Sequence, residues 1–561
     1  MLHHISTRQK IIVMIAVMSG LFLVALDQTI IATALAAITE EFNSFSSLGF
    51  IVTAYMLTST VTVPIAGKLS DMYGRRPILL AGVAIFTLAS LFSGSAGSVG
   101  WLIAARAMQG IGGGMIMANA FTIIGDLFSP RERGKWQGFI GAVFGISSVI
   151  GPMLGGWLTD GQHIFGLTTD WRWTFFINVP VGIVAGLIIT RFMPNIKHDA
   201  KHVPDYLGAL FITIALSAVV LAVDNTETIF AGLIDQGINV GVIKATLWTI
   251  FAIAAGIFVG VERRAKQPIL SLKFFANKTF SMMTIIILLF GAAFMGSILY
   301  LTQFNQQVFG ASASEAGYML LPMMGGMMFS SIMIGQVVAR VGRYKPFIIA
   351  GLGITTIAVA SLITMTPTTP YWHEAVIMVF VGLGLGMAMP ILTLAIQNEF
   401  THKDMGAATS SVQLFRGLGQ TIGTAILSGV LTAGILQAIG DPGKLPYIQT
   451  LKQSPESAKL LEGEIKADTL LQINSQQTEI RDGATEAIEQ SQAPAQAKDA
   501  LIASFNRQQD EYRNDIIDSF TSSLHHIFMI AAILMGIAFL VSTRLPDRVL
   551  KDHSNDAPGV E

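Results

Sequence analysis

Cysteine is absent from all 561 residues, which excludes disulfides, thiolate catalysis and cysteine-held metal. Charge is scarce too. Asp, Glu, Lys and Arg make up 13% of the chain, against roughly 25% in soluble domains, and the mean hydropathy is +0.59. That shortage excludes a soluble fold. The 35 basic and 36 acidic residues nearly cancel, so no broad electrostatic footprint for nucleic acid exists. Also missing are a His-Glu-x-x-His zinc motif, a phosphate-binding P-loop and paired aspartates within an apolar run, so neither a membrane enzyme nor an ATP-driven step is expected. His3, His4, His163, His525 and His526 lie at ends and loops without a convergent partner set, and no metal site is expected.

Long apolar runs dominate what is present. Stretches able to cross a hydrocarbon core of about 30 Å recur at 11–35, 48–67, 78–98, 101–125, 137–159 and 172–193. A pair follows at 206–223 and 245–262, then six more at 280–302, 316–339, 346–365, 374–397, 406–436 and 522–543. The first run is too long for the apolar core of a signal peptide and carries Asp27, so it reads as span 1 of fourteen and not as a cleaved leader. With the N-terminus inside, the positive-inside rule holds through every later loop. Twenty-three of the lysines and arginines fall on inner segments, and the short outer loops hold only Arg172 and Lys244. Both termini are therefore expected in the cytoplasm, with the chain crossing a lipid bilayer.

The 6+2+6 order predicts an all-α membrane protein: a six-helix bundle at 1–195, two linking helices at 196–278, and a second bundle whose first five helices fill 279–436 and whose last helix is 521–543, followed by an inner tail at 544–561. A sequence repeat supports two related halves. Gly67 to Pro77 follows span 2, and Gly335 to Pro346 follows span 10; the second copy is one residue longer, carries Arg340 and Arg343, and has Ala339 where the first has Asp71. The segment 437–520 differs in kind, being polar and rich in Gln, Glu, Ala and Ser. Intermittent helical periodicity at Leu501, Phe505, Tyr512 and Ile516 predicts an outer helical hairpin there, a candidate docking surface for an extracytoplasmic partner.

Five motifs carry chemistry. In the first, Gly67, Asp71, Gly74, Arg75 and Arg76 form an inner turn; the arginines anchor it, while Asp71 can pair with them or face the next helix's N-terminus. In the second, Leu26-Asp27-x-Thr29-Ile30, Asp27 is the one acid deep inside an expected span. An ionised Asp there costs about 2.5 to 3.5 kcal/mol on insertion scales, which makes it the first candidate for proton exchange, the bland alternative being helix packing. In the third, Arg106 with Gln109 and Gly110 starts span 4; a permanent cation there either biases a nearby carboxylate or forms a structural pair. The fourth, Gly145, Gly151, Pro152, Gly155 and Gly156 on span 5, removes side chains and one backbone donor, which predicts a close, kinked crossing. The fifth is Trp171-Arg172-Trp173 through Asn178 to Pro180. Arg416 on span 13 is a second buried cation that either serves the opposite half or anchors packing. Met323, Met324, Met327 and Met328 on span 10 suit either a soft pocket or ordinary core.

Together these motifs resemble those of the major facilitator superfamily, specifically its fourteen-span drug:proton antiporter branch, over every span except the outer insertion. The resemblance implies two bundles rocking around a central cavity, an inner gate latch at Asp71 and Arg75, proton coupling at Asp27 and Arg106, and an antiporter motif on span 5. It implies no cofactor; a proton gradient supplies the energy. The expected cargo is a small amphipathic, cationic drug-like molecule, the rival being an endogenous lipid, siderophore or metabolite. A receptor sensing through the outer loop is a more distant reading, as is proton-coupled import.

Overall fold

The computed structural model describes residues 6–42, 48–159, 161–164, 166–194, 205–223, 226–311, 313–400, 404–453, 461, 465–491 and 494–550. Lys197, Lys201, Lys403, Lys551, His3 and His4, and the tail from 551, lie outside these. Among the described residues, fourteen helices are long and apolar enough to cross a membrane. Hydrocarbon offers backbone groups no partner, so each span must be a helix that satisfies its own N–H and C=O groups.

The first half comprises span 1 (Thr7–Phe42), span 2 (Leu48–Tyr73), span 3 (Arg75–Gly94), span 4 (Val99–Leu127), span 5 (Pro130–Thr159) and span 6, which is broken into Trp173–Phe176 and Asn178–Phe192. Its core gathers Leu21, Val83, Phe86, Phe121 and Ile189. A two-residue hairpin, His163–Ile164 against Leu167–Thr168, precedes span 6. Spans 2 and 3 are separated by Gly74 alone, at φ 102°, a conformation that L side chains rarely adopt.

Spans 7 (Tyr206–Val223) and 8 (Val240–Glu262) pack on each other. Ile212, Leu216 and Phe258 of this pair lie with Leu414 of span 13 and against Val61 and Ile65 of span 2, so the inserted helices sit beside the seam between halves. The second half holds span 9 (Lys278–Phe309), span 10 (Leu321–Val341), span 11 (Lys345–Ser361), span 12 (Tyr371–Glu399), span 13 (Met405–Ile439) and span 14, the C-terminal part of Ala495–Thr543.

The insertion is helical, with Pro446–Leu451, Ala467–Ser475 and Gln477–Gln490 preceding the last helix. Its second arm is no separate helix. Ala495–Thr543 runs unbroken for 49 residues, because neither Gly nor Pro interrupts it between Pro494 and the membrane. Gln477–Gln490 lies against this extension: Arg481 donates to Gln509 Oε1 at 2.5 Å and pairs with Asp510 at 2.6 Å. Buried Gln509 donates in turn to the Tyr447 hydroxyl and to the Gln477 carbonyl, both at 2.9 Å. Burial pushes the Tyr447 phenol up to about 12. The insertion is tied to the second half by Asn474 to Gln307 at 2.8 Å and reaches the inserted pair through Lys466 and Glu227.

Candidate functional site

Two buried polar clusters occupy opposite levels of the first half. In the deeper one, Asp27 of span 1 and Arg106 of span 4 are 0% and 1% exposed and pair at 2.6 Å. Gln109, one helical turn beyond Arg106, closes a ring: it accepts from Arg106 Nη1 at 2.8 Å and donates to Asp27 Oδ1 at 2.7 Å. Asn178 adds a donor to the same oxygen at 3.2 Å, and Ser90 of span 3 accepts from Gln109 at 2.9 Å. The Arg106 guanidinium lies over the Tyr55 ring at 4.4 Å. Spans 1, 4 and 6 thus meet at one carboxylate, and spans 2 and 3 add Tyr55 and Ser90 around it. In a low-dielectric interior the pair is sustained by these extra hydrogen bonds, since Coulomb attraction alone barely offsets desolvation.

Asp27 and Arg106 were separate sequence candidates; the structure joins them. Ser90 and Tyr55 carried no sequence signal, and Asn178 lay within the Trp171–Pro180 motif without standing out from it. Asn178 reaches Asp27 because span 6 restarts there after its break at Ile177. Gly110, on the next residue of span 4, lets the backbone of span 2 at Tyr55 approach within the volume a Cβ would take.

The span 5 motif meets the same site from outside. A Cβ on Gly151 would overlap the Thr29 side chain, and the Thr29 hydroxyl donates to the Ser147 carbonyl at 3.0 Å, beside the turn where Pro152 supplies no N–H. Spans 1 and 5 therefore cross closely two residues from Asp27. Gly145 instead faces Met324, Met327 and Met328 of span 10, at the seam with the other half, and Gly155 is buried while Gly156 is half-buried.

The second cluster is at the basic face. Arg75 pairs with Asp71 at 2.6 Å and with Asp126, at the end of span 4, also at 2.6 Å. Asp71 Oδ2 accepts the Ala407 N–H at 3.0 Å, in the first turn of span 13 of the other half. Gly67 lies where a Cβ would strike Ser410 of that span. Gln397 of span 12 donates to the Phe121 carbonyl at 3.0 Å, and Arg133 approaches the Gln397 carbonyl at 3.4 Å. The halves are closed against each other here. Arg76 takes no part; it bonds the Thr190 carbonyl on span 6.

Among the described residues, the repeat in the second half builds no matching latch. Arg340 is exposed, and Arg343 pairs with Asp547 of the tail at 3.3 Å, both partly exposed. Ala339 offers no carboxylate to either. Arg416 is 9% exposed, lies over the Phe121 ring of the first half at 5.6 Å, and meets no carboxylate among the described residues. Span 12 holds an acid whose burial its place near a span end conceals: Glu374 is 0% exposed, and with the Asn305 amide turned to donate, that nitrogen lies 2.9 and 3.0 Å from its two oxygens. His525 meets the Met365 carbonyl at 2.6 Å, and no group of three metal-ligating side chains occurs among the described residues.

Two helical halves around a seam, with a buried carboxylate–guanidinium ring in one of them, define a membrane transporter fold. The sequence matches the Major Facilitator Superfamily across residues 17–424, and the chain belongs to that family. It is 37% identical over 447 residues to the multidrug transporter protein MdtP of Bacillus subtilis, covering 80% of each chain. To Multidrug resistance protein 3 of the same organism it is 33% identical, covering 79% of this chain and 88% of that one. The fold is shared with the proton:xylose symporter XylE (TM-score 0.56, 14% identity, 96% of this chain and 97% of that one) and with a bacterial homolog of Spinster (TM-score 0.54, 17% identity, 96% and 98%).

Proposed function

We propose that this multi-pass membrane protein is a proton-coupled antiporter that exports amphipathic, cationic drug-like compounds across a bacterial plasma membrane by alternating access, with both termini in the cytoplasm. The observation that carries the reading is the Asp27–Arg106–Gln109–Asn178 ring. A buried carboxylate paired with a permanent cation has two states. Ionised, Asp27 holds Arg106; protonated, it releases it to Gln109 and the Tyr55 face, and the contacts joining spans 1, 4 and 6 change. Each state favours a different arrangement of the halves, so a proton taken up from one side and given up on the other biases the rocking.

In the conformation described, the basic face is shut by Asp71 on span 13, which on this reading is the cytoplasmic gate closed. The named multidrug transporters among the relatives support the substrate class. Arg416 favours the rival reading, because a guanidinium that lies over Phe121 at the seam and meets no carboxylate among the described residues suits the acidic head of an amphiphile such as a lipid.

Flux in proteoliposomes tests the proposal. Uptake of a fluorescent cationic dye should follow an imposed proton gradient and stop when a protonophore collapses it. A folded protein that moves acidic amphiphiles under the same gradient, and no cationic dye, would shift the assignment to the rival.

A further inference from the structure

At the basic face a cavity of about 510 Å³ opens across the seam. Lys10 lies on its wall from the first turns of span 1, Arg131 and Lys135 from the first turns of span 5, and Arg340 from the last turn of span 10 in the other half. The one carboxylate on the described wall, Glu132, is already engaged by the Ser129 N–H at 3.1 Å and hydroxyl at 3.0 Å. The aromatic side is Phe128, on which Trp136 stacks at 5.0 Å and over which Lys10 lies at 5.7 Å. None of this belongs to the ring around Asp27.

Lys10 and Lys135 of one half and Arg340 of the other outnumber the single Glu132 carboxylate on the described wall, so their repulsion opposes the closure seen here and a further anion among them relieves it. The chemistry fits a phosphate group: arginine and lysine donors converge at the headgroup level, with a tryptophan at the interface. A track for an acyl chain adjoins it. Ile11 lines the cavity and is 43% exposed, and Ile15, one turn deeper on the same face of span 1, is 53% exposed.

We propose that this cavity binds the phosphate headgroup of an anionic membrane lipid, which bridges Arg340 to Lys10 and Lys135 and so stabilises the closed basic face. The site is independent of substrate identity and of proton coupling.

The test uses full-length protein released from nanodiscs of phosphatidylcholine with phosphatidylglycerol, with retained lipid counted by native mass spectrometry. The parent should retain phosphatidylglycerol selectively, and Arg340→Gln and Lys135→Gln should each cut retention roughly fivefold. Glu132→Gln should raise it, which a merely misfolded variant would not do. Adding inorganic phosphate at millimolar concentration separates the sources: no displacement of the lipid supports lipid binding, whereas full displacement means a soluble phosphate site and overturns the lipid assignment. Equal retention in the parent and in the Arg340→Gln, Lys135→Gln double variant overturns the proposal whatever the transport assays show.

Discussion

Asp71 of the first half accepts the backbone N–H of Ala407 in the second, at 3.0 Å, while its other oxygen pairs with Arg75. A carboxylate from one rigid body thus caps a helix of the other, and the bond exists only while the basic face is shut. An N-terminal turn gains about 0.5 to 2 kcal/mol from such a cap. Asp71→Ala should therefore shift the population toward an open basic face, roughly five- to thirtyfold for 1 to 2 kcal/mol. Because the chain has no cysteine, single cysteines placed at Tyr73 and Val341 can be spin-labelled without background. The variant should show a longer distance component that the parent lacks.

Gly151 faces Thr29 with no room for a methyl group. Gly151→Ala should cost about 1 to 3 kcal/mol through overpacking, read as a lower melting temperature. It should also slow transport more than the stability loss explains, because the crossing lies two residues from Asp27. Gly429, inside span 13 with nothing near its Cβ position, is the control: Gly429→Ala should leave transport unchanged and should not lower the melting temperature, since Ala favours a helix interior.

At the opposite face, Arg172 grips Glu41 through two hydrogen bonds of 2.6 and 2.8 Å, and Trp171 Nε1 adds a third at 2.6 Å. The hydrogen bond from Arg172 holds the Glu41 carboxyl below its ordinary value. A depressed carboxylate contributes stability above its unfolded pKa and loses it as pH falls through the folded one. The destabilisation caused by Glu41→Gln should therefore be present at pH 7 and fade as pH drops below about 4.5. Both groups are partly exposed, so the effect is small, read as converging thermal unfolding curves.

Gln509 holds three partners in the insertion. Gln509→Ala leaves Tyr447, Arg481 and the Gln477 carbonyl short of one another, a loss of about 1 to 3 kcal/mol. Limited proteolysis should cut the Gln477–Gln490 arm sooner in the variant. Flux through the spans should persist if the insertion is an accessory to transport.

The fourteen spans were legible because apolar length and the positive-inside rule act on composition, which one sequence displays in full. The hairpin's second arm was harder to read: polarity at 495–520 marked it as leaving the membrane, yet its helix simply continues. Asp27 stood out since a lone carboxylate in hydrocarbon is costly. Ser90 and Tyr55 did not, because ordinary core residues become partners only when five helices bring them together. Glu374 was hidden by the opposite effect: its position near a span end suggested solvent access, and packing against Asn305 removed it. In the second half, the repeat suggested symmetry that Ala339 had already broken, and Arg343 turned to the tail.

The central claim is that Asp27 carries the coupled proton, and substrate-induced proton release tests it most directly. Purified protein in weakly buffered solution with a pH dye, mixed with a cationic substrate that it binds, should release protons. Asp27→Asn should keep its fold and bind substrate without releasing any, and downhill substrate flux should persist in it while gradient-driven flux is lost. Proton release from Asp27→Asn equal to that of the parent would contradict the account and move the coupling site elsewhere, with Glu374 the first residue to examine.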